Sequence, residues 1–466
     1  MSAVHIVILA AGKGTRMKSA LPKVLHKVAG QPMIDYVLRT AARLHPQSTT
    51  VVIGHQAGLL QSALGNRDSL NLVVQEPQLG TGHALLMTRS VLGGAAGTLV
   101  LLSGDAPLLS AETVRTLIGH HISRAAAATV VTAVVDDPRG YGRIVRSGER
   151  IARIVEDKDT TGDERMIREI NSGIYAFDLT GLFEAVLAIG TRNAQTEYYL
   201  PDLITIFRGQ GRGVETLTVR DPQEVLGIND RVQLGTMTRL VRQQKADALM
   251  NAGVTIEDPS MTYIDVDVTV GADTVIHPFV FLEGETAIGE RSEIHSGSRI
   301  VNSRLGKGVH VLNHCVIVNS HVGDDARIGP FAHFRTGVDI REGARVGNFV
   351  ELKKTVLGKS SKAMHLTYLG DAVIGEHVNI GAGTITCNYD GVNKNQTVIG
   401  DGAFIGSDSQ LVAPVTVGEG AYVGSGATIR ENVPADALAV SAGKQRNILD
   451  WVKAKRRRTK KEQTPT

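Results

Sequence analysis

The stretch IGSDSQLVAPVTVGEGAYVGSGATI, residues 405–429, determines how the C-terminal half of the chain must fold. An aliphatic residue recurs at every sixth position and is often followed by glycine. A helix with 3.6 residues per turn cannot keep every sixth residue on one face, and a strand alternates with period two. Period six suits a three-sided solenoid, in which each hexad forms one flat side and its aliphatic residue points inward. The stretch therefore predicts a parallel β-helix.

The same period can be followed upstream from this stretch to about residue 270. SKAMHLTYLGD, residues 361–371, interrupts the rhythm, and we expect it to be a functional loop that leaves the coil, because regular coils gain nothing from such breaks. The predicted inward positions are Val270, Ile276, Leu282, Ile288, Ile294, Ile300, Ile328, Phe334, Ile340, Val346, Leu352, Ile399, Ile405, Leu411, Val417, Val423 and Ile429.

The N-terminal half follows a different pattern, in which short β-branched runs such as VHIVILA and GTLVLLSGD alternate with helical stretches. This alternation predicts an α/β domain with a mostly parallel, Rossmann-like sheet. Apolar residues at helical spacing then predict a linker helix, with Asn229 or Asp230 as its N-cap and Gly253 just past its end. We expect an α/β domain over 1–228, the linker helix over 229–252, the β-helix over 253–437 and a basic tail over 438–466.

Composition excludes several classes of protein. The 466 residues are 42% hydrophobic and 21% charged with a net charge of +3, which is typical of a globular protein and not of a nucleic-acid-binding surface. Two cysteines cannot form a disulfide framework, which favours a cytoplasmic protein. No apolar run reaches the roughly 20 residues of a membrane span, and the apolar start is predicted to be a buried strand and not a secretory signal. The basic run KAKRRRTKK, residues 453–461, predicts a solvated, disordered end.

A first chemical site is indicated by LAAGKGTRMKSALPKVL, residues 9–25. Gly12 and Gly14 would let backbone N–H groups approach a phosphate, and Arg16 and Lys23 would bring positive charge to it. Asp105 follows a hydrophobic strand in LLSGDAPLL, at the edge where open α/β sheets hold their ligands. A glycine pair alone could be only a tight turn, and an aspartate in this place could equally cap a helix.

The whole pattern resembles the signature of sugar-1-phosphate nucleotidyltransferases, and the stretches QEPQLGTGHAL, GYGRIV, IVEDKD, EINSGIY and VLGINDR resemble the bifunctional enzymes that make UDP-N-acetylglucosamine. That resemblance implies Mg²⁺ held by Asp105 and Asn229, with UTP as a co-substrate and Arg16 and Lys23 stabilising charge at the phosphorus. It implies a binding site for UDP-N-acetylglucosamine made of Leu9, Ala10, Ala11, Gly12, Lys23, Gln75, Gly80, Thr81, Ser103, Gly104, Asp105, Gly142, Glu156, Asn171 and Asn229.

A second site is indicated by FRTG, NFVELKK, the stretch around His365 and VNIGAGTITCNYDGVNKN, which resemble the acetyltransferase half of the same enzymes. The six-residue repeat resembles the left-handed β-helix of hexapeptide acyltransferases. The resemblance implies that His365 is the general base and that Glu351 orients its ring. It implies a sugar-phosphate site made of Arg335, Lys353, Tyr368, Asn379 and Asn388, and an acetyl-CoA site made of Ala382, Asn388, Tyr389, Lys394, Ser407, Ser425 and Ala442. It also implies a homotrimer formed through the β-helix.

This chain departs from the expected family pattern at three positions. Ser103 stands where some relatives have tyrosine, Ser425 where some have alanine, and Ala442 where we expect a phosphate-binding arginine that Lys444, Arg446 or the tail could replace. The main alternatives are a nucleotidyltransferase whose β-helix serves only oligomerisation or regulation, and a non-enzymatic scaffold. The spacing of three coil histidines does not favour a zinc site of the carbonic-anhydrase kind; these are His310, His314 and His321.

Overall fold

The computed structural model describes residues 3–65, 67, 69–441, 443 and 445–462, and it divides the chain into two compact units, Met1–Lys245 and Ala246–Thr466. Ala442 and Lys444 lie outside the described residues. Ala442 is a predicted acetyl-CoA contact, and Lys444 is a candidate replacement for the expected arginine. Among the described residues, no helix combines the length and apolar character that crossing a membrane requires.

The N-terminal unit is built around a nine-stranded sheet of order β11-β7-β10-β6-β1-β4-β5, with the hairpin β8–β9 attached through β10. Strand β10 runs antiparallel to β6 and β7, whereas β6, β1, β4 and β5 run parallel, as do β11 and β7. The strands are β1 (Val4–Leu9), β2 (Lys27–Val28), β3 (Gln31–Pro32), β4 (Ser48–Ile53), β5 (Leu70–Val74), β6 (Thr98–Ser103), β7 (Ala128–Val134), β8 (Arg143–Ser147), β9 (Arg150–Val155), β10 (Glu169–Asp178) and β11 (Val214–Thr218), of which β2 and β3 form a separate pair.

Helices cover this sheet, and two apolar clusters contain alternate residues of the same strands. Val7 belongs to one cluster and Ile8 to the other, as expected for a strand that is buried on both faces. The helices of the chain are α1 (Met33–Ala42), α2 (Ala57–Leu64), α3 (Thr81–Met87), α4 (Arg89–Leu92), α5 (Ala111–Ser123), α6 (Leu182–Leu187), α7 (Asp202–Gly209), α8 (Arg231–Asn251) and α9 (Trp451–Glu462).

Helix α8 is continuous through the stretch for which a linker helix was predicted, and the division between the units falls within it, after Lys245. The side chain of Asp230 accepts a hydrogen bond from the Gln233 N–H, which satisfies a donor that the first helical turn leaves free. Gly253 follows the helix with φ +93°. Helix α9 covers the basic run 453–461, where we expected a disordered end.

The second unit is a three-sided parallel β-helix. An eleven-stranded sheet forms one side: Thr255–Ile256, Val275–Ile276, Glu293–Ile294, His310–Val311, Arg327–Ile328, Arg345–Asn348, Lys362–His365, Asn379–Ile380, Phe404–Ile405, Tyr422–Val423 and Leu438–Ala439. A seventeen-stranded sheet forms the other two: Tyr263–Ile264, Thr269–Val270, Phe281–Glu283, Ala287–Ile288, Arg299–Val301, Arg304–Leu305, Val316–Val318, His321–Val322, His333–Phe334, Asp339–Ile340, Glu351–Leu357, Tyr368–Ile374, Ile385–Cys387, Thr397–Ile399, Gln410–Val412, Val415–Val417 and Thr428–Ile429. Nearly all the predicted inward residues are buried in one continuous core, and Val270 packs against it partly buried.

The prediction that 361–371 leaves the coil as a loop is wrong. Lys362–His365 and Tyr368–Ile374 are coil strands, and Leu352 pairs with Leu369, 17 residues on. The rhythm breaks in the sequence because one side of these turns is a residue shorter, so that Leu352 and Leu357, both buried, are five residues apart. The larger irregularity lies downstream, where Ile380 pairs with Ile405, 25 residues on. The additional residues form the loop at 388–395.

Candidate active sites

A cleft of about 460 Å³ opens at the carboxyl ends of strands β1, β5 and β6 in the N-terminal unit. This is the edge where parallel sheets bind ligands, because loops diverge there and leave a crevice. Ten of the predicted site residues line it: Leu9, Ala10, Ala11, Gly12, Lys23, Gln75, Gly80, Thr81, Ser103 and Asp105. Gly104, another predicted site residue, is not among the lining residues; its N–H donates to the Leu9 carbonyl and joins the ends of β1 and β6.

Three predicted side chains converge on Lys23. Its ammonium group contacts the Asp105 carboxylate, and it donates to the Asn229 side-chain oxygen over 3.1 Å. Arg16 donates to that same Asn229 oxygen over 2.9 Å. Gly14 makes the approach of Lys23 possible, since it has φ +57° and an added Cβ would lie 2.8 Å from the Cβ of Lys23. The Asp105 and Asn229 oxygens thus hold the Lys23 ammonium group beside this cleft.

The opposite wall of the cleft is fixed by Gln75 and Gly80. The buried Gln75 amide donates to the Gly80 carbonyl over 2.9 Å and lies 3.2 Å from the His83 Nδ1. Gly80 has φ +106°, and an added Cβ would lie 2.7 Å from the carbonyl oxygen of Tyr198. The hydroxyl of Thr81 accepts from the Leu200 N–H. These contacts hold the loop before α3 in one conformation.

Gly142, Glu156 and Asn171 lie together beside the β8–β10 pair. The Asn171 N–H donates to the Gly142 carbonyl over 2.8 Å, and the Asn171 side-chain oxygen accepts from Gly173 and from the hydroxyl of Tyr175. Burial and the neighbouring Asp159 and Asp157 raise the pKa of Glu156 to about 7. The structure therefore brings these three predicted sugar contacts into one group.

In the coil, His365 occupies a corner of the eleven-stranded sheet. Its Nδ1 lies 3.0 Å from the side-chain oxygen of Asn348, the residue opposite it on the preceding turn. Ala382, Ser407 and Ser425 follow at the equivalent position on the next three turns, each two residues after an inward isoleucine or valine. These predicted residues consequently form one column that continues from His365 along the coil.

The predicted phosphate and sugar residues lie on the next side of the coil. Arg335 donates to the Glu351 carboxylate over 3.2 Å, and Glu351 is opposite Tyr368. Lys353 lies 3.6 Å from the Asp371 carboxylate, which also accepts from the Asn388 amide. We expected Glu351 to orient the ring of His365; in the described structure Asn348 hydrogen-bonds that ring, and the partner of Glu351 is Arg335.

The loop at 388–395 presents two further predicted residues. The Lys394 ammonium lies 4.0 Å from the centre of the Tyr389 ring, and the Tyr389 hydroxyl donates to the Gly391 carbonyl over 2.5 Å. Both side chains are exposed. Asn379 is separate from them, on the eleven-stranded sheet between Lys362 and Phe404.

Sequence reasoning missed several residues at these sites. Gln78 and Glu197 also line the N-terminal cleft; Gln78 lies within the stretch QEPQLGTGHAL but received no role, and Glu197 lies outside the quoted stretches. Asn348 and Asp371 contact predicted residues of the coil. Asn348 could have been found, because it precedes His365 by 17 residues, which is one turn of this part of the coil.

Comparisons with known proteins agree with this division. The family of MobA-like NTP transferase domains matches residues 6–173, and the family of bacterial transferase hexapeptides (six repeats) matches residues 319–354 and 396–431. The "Bifunctional protein GlmU" of Trichlorobacter lovleyi is 48% identical over 97% of this chain and 98% of its own. The proteins of the same name from Shouchella clausii and Heliobacterium modesticaldum are 46% and 49% identical over 97% and 94% of this chain, and over 99% and 96% of their own.

The chain belongs to the GlmU family. As a GlmU family member it is a bifunctional transferase, with a nucleotidyltransferase domain followed by a left-handed β-helix of hexapeptide repeats. Membership confirms the prediction of acetyl transfer together with uridylyl transfer, and it disfavours the alternative in which the β-helix has no activity.

Proposed function

We propose that the N-terminal unit transfers uridylyl from UTP to N-acetylglucosamine-1-phosphate, releasing pyrophosphate and UDP-N-acetylglucosamine. A phosphate oxygen of the sugar phosphate attacks the α-phosphorus of UTP, so no protein nucleophile is needed. Negative charge develops on the oxygens around that phosphorus, and Lys23 and Arg16 stabilise it. The observation that carries this half of the proposal is the convergence of Lys23, Arg16 and Asn229 beside Asp105.

The same residues suit a magnesium ion. The donors are a carboxylate and an amide oxygen, the ligand types that Mg²⁺ prefers, and both already contact one cationic group, the ammonium of Lys23. Asp105 and Asn229 would hold the ion, and Lys23 would turn to the phosphates. When bound, Mg²⁺ neutralises phosphate charge and polarises the phosphorus.

Specificity in this unit comes from the two walls of the cleft. The Gln75 amide and the backbone around Gly80 and Thr81 would read the edge of the uracil base. Gly142, Glu156 and Asn171 would hydrogen-bond the sugar. The backbone from Leu9 to Gly12 would lie along the phosphates, and an added Cβ at Gly12 would meet nothing within 4 Å, which leaves that approach open.

We propose that the β-helix transfers acetyl from acetyl-CoA to the 2-amino group of glucosamine-1-phosphate, and that this step precedes uridylyl transfer. The Asn348 oxygen accepts a hydrogen bond at His365 Nδ1, so Nδ1 carries the proton and the lone pair of Nε2 is free. His365 takes a proton from the amine as its nitrogen attacks the thioester carbonyl. The imidazolium then returns the proton to the departing CoA thiolate. The observation that carries this half is the Asn348–His365 pair.

The other coil residues bind the two substrates. Arg335 and Lys353 would bind the sugar phosphate, while Tyr368, Asn379 and Asn388 would bind the sugar. The column of Ala382, Ser407 and Ser425 offers small side chains along which an extended pantetheine chain could lie. Tyr389 and Lys394 would flank it, and Lys394 or a backbone N–H would stabilise the thioester oxyanion. We further propose a cytoplasmic homotrimer formed through the β-helix, without nucleic-acid partners.

The test compares the intact protein with the His365→Ala variant. CoA release is measured with acetyl-CoA and glucosamine-1-phosphate, and pyrophosphate release with UTP and N-acetylglucosamine-1-phosphate. We expect acetyl transfer to fall by roughly 10²–10⁴-fold, the usual contribution of a general base, with uridylyl transfer unchanged. Full acetyl transfer by the variant would refute the assignment of the base, and no CoA release by the intact protein would refute an active coil.

A further inference from the structure

A cluster of imidazoles and carboxylates lies on the outer surface of the first coil turns, apart from the candidate acetyltransferase site of the same unit. His277 and His295 each follow an inward isoleucine of the eleven-stranded sheet, and Glu293 precedes one. Neighbours of an inward residue point outward in a strand, so all three side chains share the outer face. Glu293 and His295 are separated from His365 by four coil turns, roughly 19 Å at about 4.8 Å per turn, and His277 lies one turn further away.

The ligand atoms of these three residues already lie at spacings that suit a small transition metal. One Glu293 carboxylate oxygen lies 3.1 Å from the His277 Nε2 and 3.4 Å from the His295 Nε2, and the three atoms are all within 4.8 Å of one another. Ligands at about 2.0–2.1 Å around a tetrahedral zinc ion are roughly 3.4 Å apart. The rings of His277 and His295 are nearly parallel and each nitrogen lone pair lies in its ring plane, so one ring would rotate to direct both nitrogens at the same ion.

The surroundings of the cluster supply the support that metal-binding histidines usually have. The second nitrogen of His277, Nδ1, lies 3.0 Å from the Glu257 carboxylate, the arrangement that fixes the tautomer of a histidine ligand. The other oxygen of Glu293 lies 3.2 Å from the His310 Nδ1. The rings of His277 and His295 stack with centres 4.5 Å apart. Each of the three ligands is partly buried, which limits the entropy lost on binding.

We propose that His277, Glu293 and His295 form a zinc-binding site that ties together the first turns of the β-helix. Two imidazoles and one carboxylate are a ligand set typical of zinc, whereas magnesium prefers oxygen ligands alone. Glu257, on the turn before His277, orients that ring, and a water molecule would complete the tetrahedron. The site therefore has a structural role, and neither proposed reaction uses it.

The three coil histidines considered for a zinc site in the sequence analysis do not form this site. His310 contacts Glu293, His314 stacks on Phe331, and His321 pairs with Asp339. The signal in the sequence lies elsewhere: His277 and His295 are 18 residues apart, which is one turn in this part of the coil. Equivalent positions on successive turns are neighbours in space, although no short metal-binding motif joins them.

The test uses the full-length protein, freed of metal with a chelator and then titrated with zinc chloride or cobalt chloride. Bound zinc is measured by mass spectrometry after gel filtration, and tetrahedral cobalt by its visible absorption. The variants are Glu293→Gln and His295→Gln. The matched control is Asp339→Asn, which alters a similar histidine–carboxylate pair, that of His321, on another side of the coil.

We expect the intact protein and Asp339→Asn to retain one zinc more per chain than either cluster variant, and the affinity of that zinc to fall by roughly 100-fold when a ligand is lost. Zinc should raise the unfolding temperature of the intact protein and of the control, but not of the cluster variants, because a metal bound only to the folded state stabilises it. Equal zinc content in all four proteins would overturn the proposal. Both activities report folding of each variant independently of zinc.

Discussion

In the N-terminal unit, the side chains that meet around Lys23 come from positions 16, 105 and 229, whereas in the coil the proposed general base His365 and its partner Asn348 are 17 residues apart on neighbouring turns. The first site depends on crossovers of a doubly covered sheet, which bring distant strand ends to one edge. The second depends only on the length of a coil turn. The register of successive turns therefore brings the candidate catalytic residues of the coil together, whereas those of the N-terminal unit are brought together by the order and direction of the strands.

Besides His365→Ala, the largest effect that separates the activities of the two units should come from Lys23→Ala. Loss of the ammonium group removes charge stabilisation at the phosphates, and we expect uridylyl transfer to fall by about 10²–10³-fold. Acetyl transfer should stay unchanged. Both activities are measured on one preparation, with Lys27→Ala as control, since Lys27 is an exposed lysine of β2. A parallel fall in acetyl transfer would contradict independent sites.

A smaller effect is expected from Asn348→Ala, which tests whether Asn348 on the preceding turn positions the His365 ring. Loss of one hydrogen bond to the ring should lower the kcat of acetyl transfer by roughly five- to tenfold, with KM nearly unchanged and the pH profile displaced. Asn348→Asp, which keeps an acceptor oxygen, should restore activity. Asn313→Ala is the matched control, because Asn313 occupies the same corner two turns earlier. Equal losses at both positions would indicate a structural effect only.

The smallest effect concerns pH and belongs to the N-terminal unit alone. Glu156 has its pKa raised to about 7 by burial and by acidic neighbours, so the folded state binds its proton more tightly than the unfolded state. Stability should then decline as pH rises from about 4.5 to about 7 and stay level above. Glu156→Gln should remove this decline. Thermal unfolding across that pH range measures it, and an unchanged decline in the variant would contradict it.

Much of the fold could be predicted from particular patterns. Period six placed Ile405, Leu411 and Val417 inside a coil, because no other regular structure buries every sixth residue. Alternating strands and helices gave the α/β unit, and the quoted motifs gave most residues of the cleft. The antiparallel strand β10 was not foreseen, because strand direction depends on the path of the connections, which periodicity does not record.

The wrong prediction of a loop at 361–371 has a physical cause. The five-residue steps at Leu352–Leu357 and Leu369–Ile374 look like a break in the sequence, yet a coil corner can lose one residue without losing its hydrogen bonds. When the six-residue repeat is counted along the chain, a five-residue step looks like a departure from the coil, and we therefore predicted a loop. The ring contact of His365 was assigned to Glu351 from the family resemblance alone, whereas the hydrogen bond comes from Asn348 on the turn before.

The sequence by itself determined the two kinds of core, the family of the chain and which residues are candidates for the two sites, because periodicity and short motifs are local properties. Only the tertiary structure decided which of those residues touch. The pairing of Asn348 with His365, the convergence on Lys23 and the cluster of His277, Glu293 and His295 all follow from the register of strands that are distant in the chain. A register is set by the packing of whole turns, and no local stretch of sequence contains it.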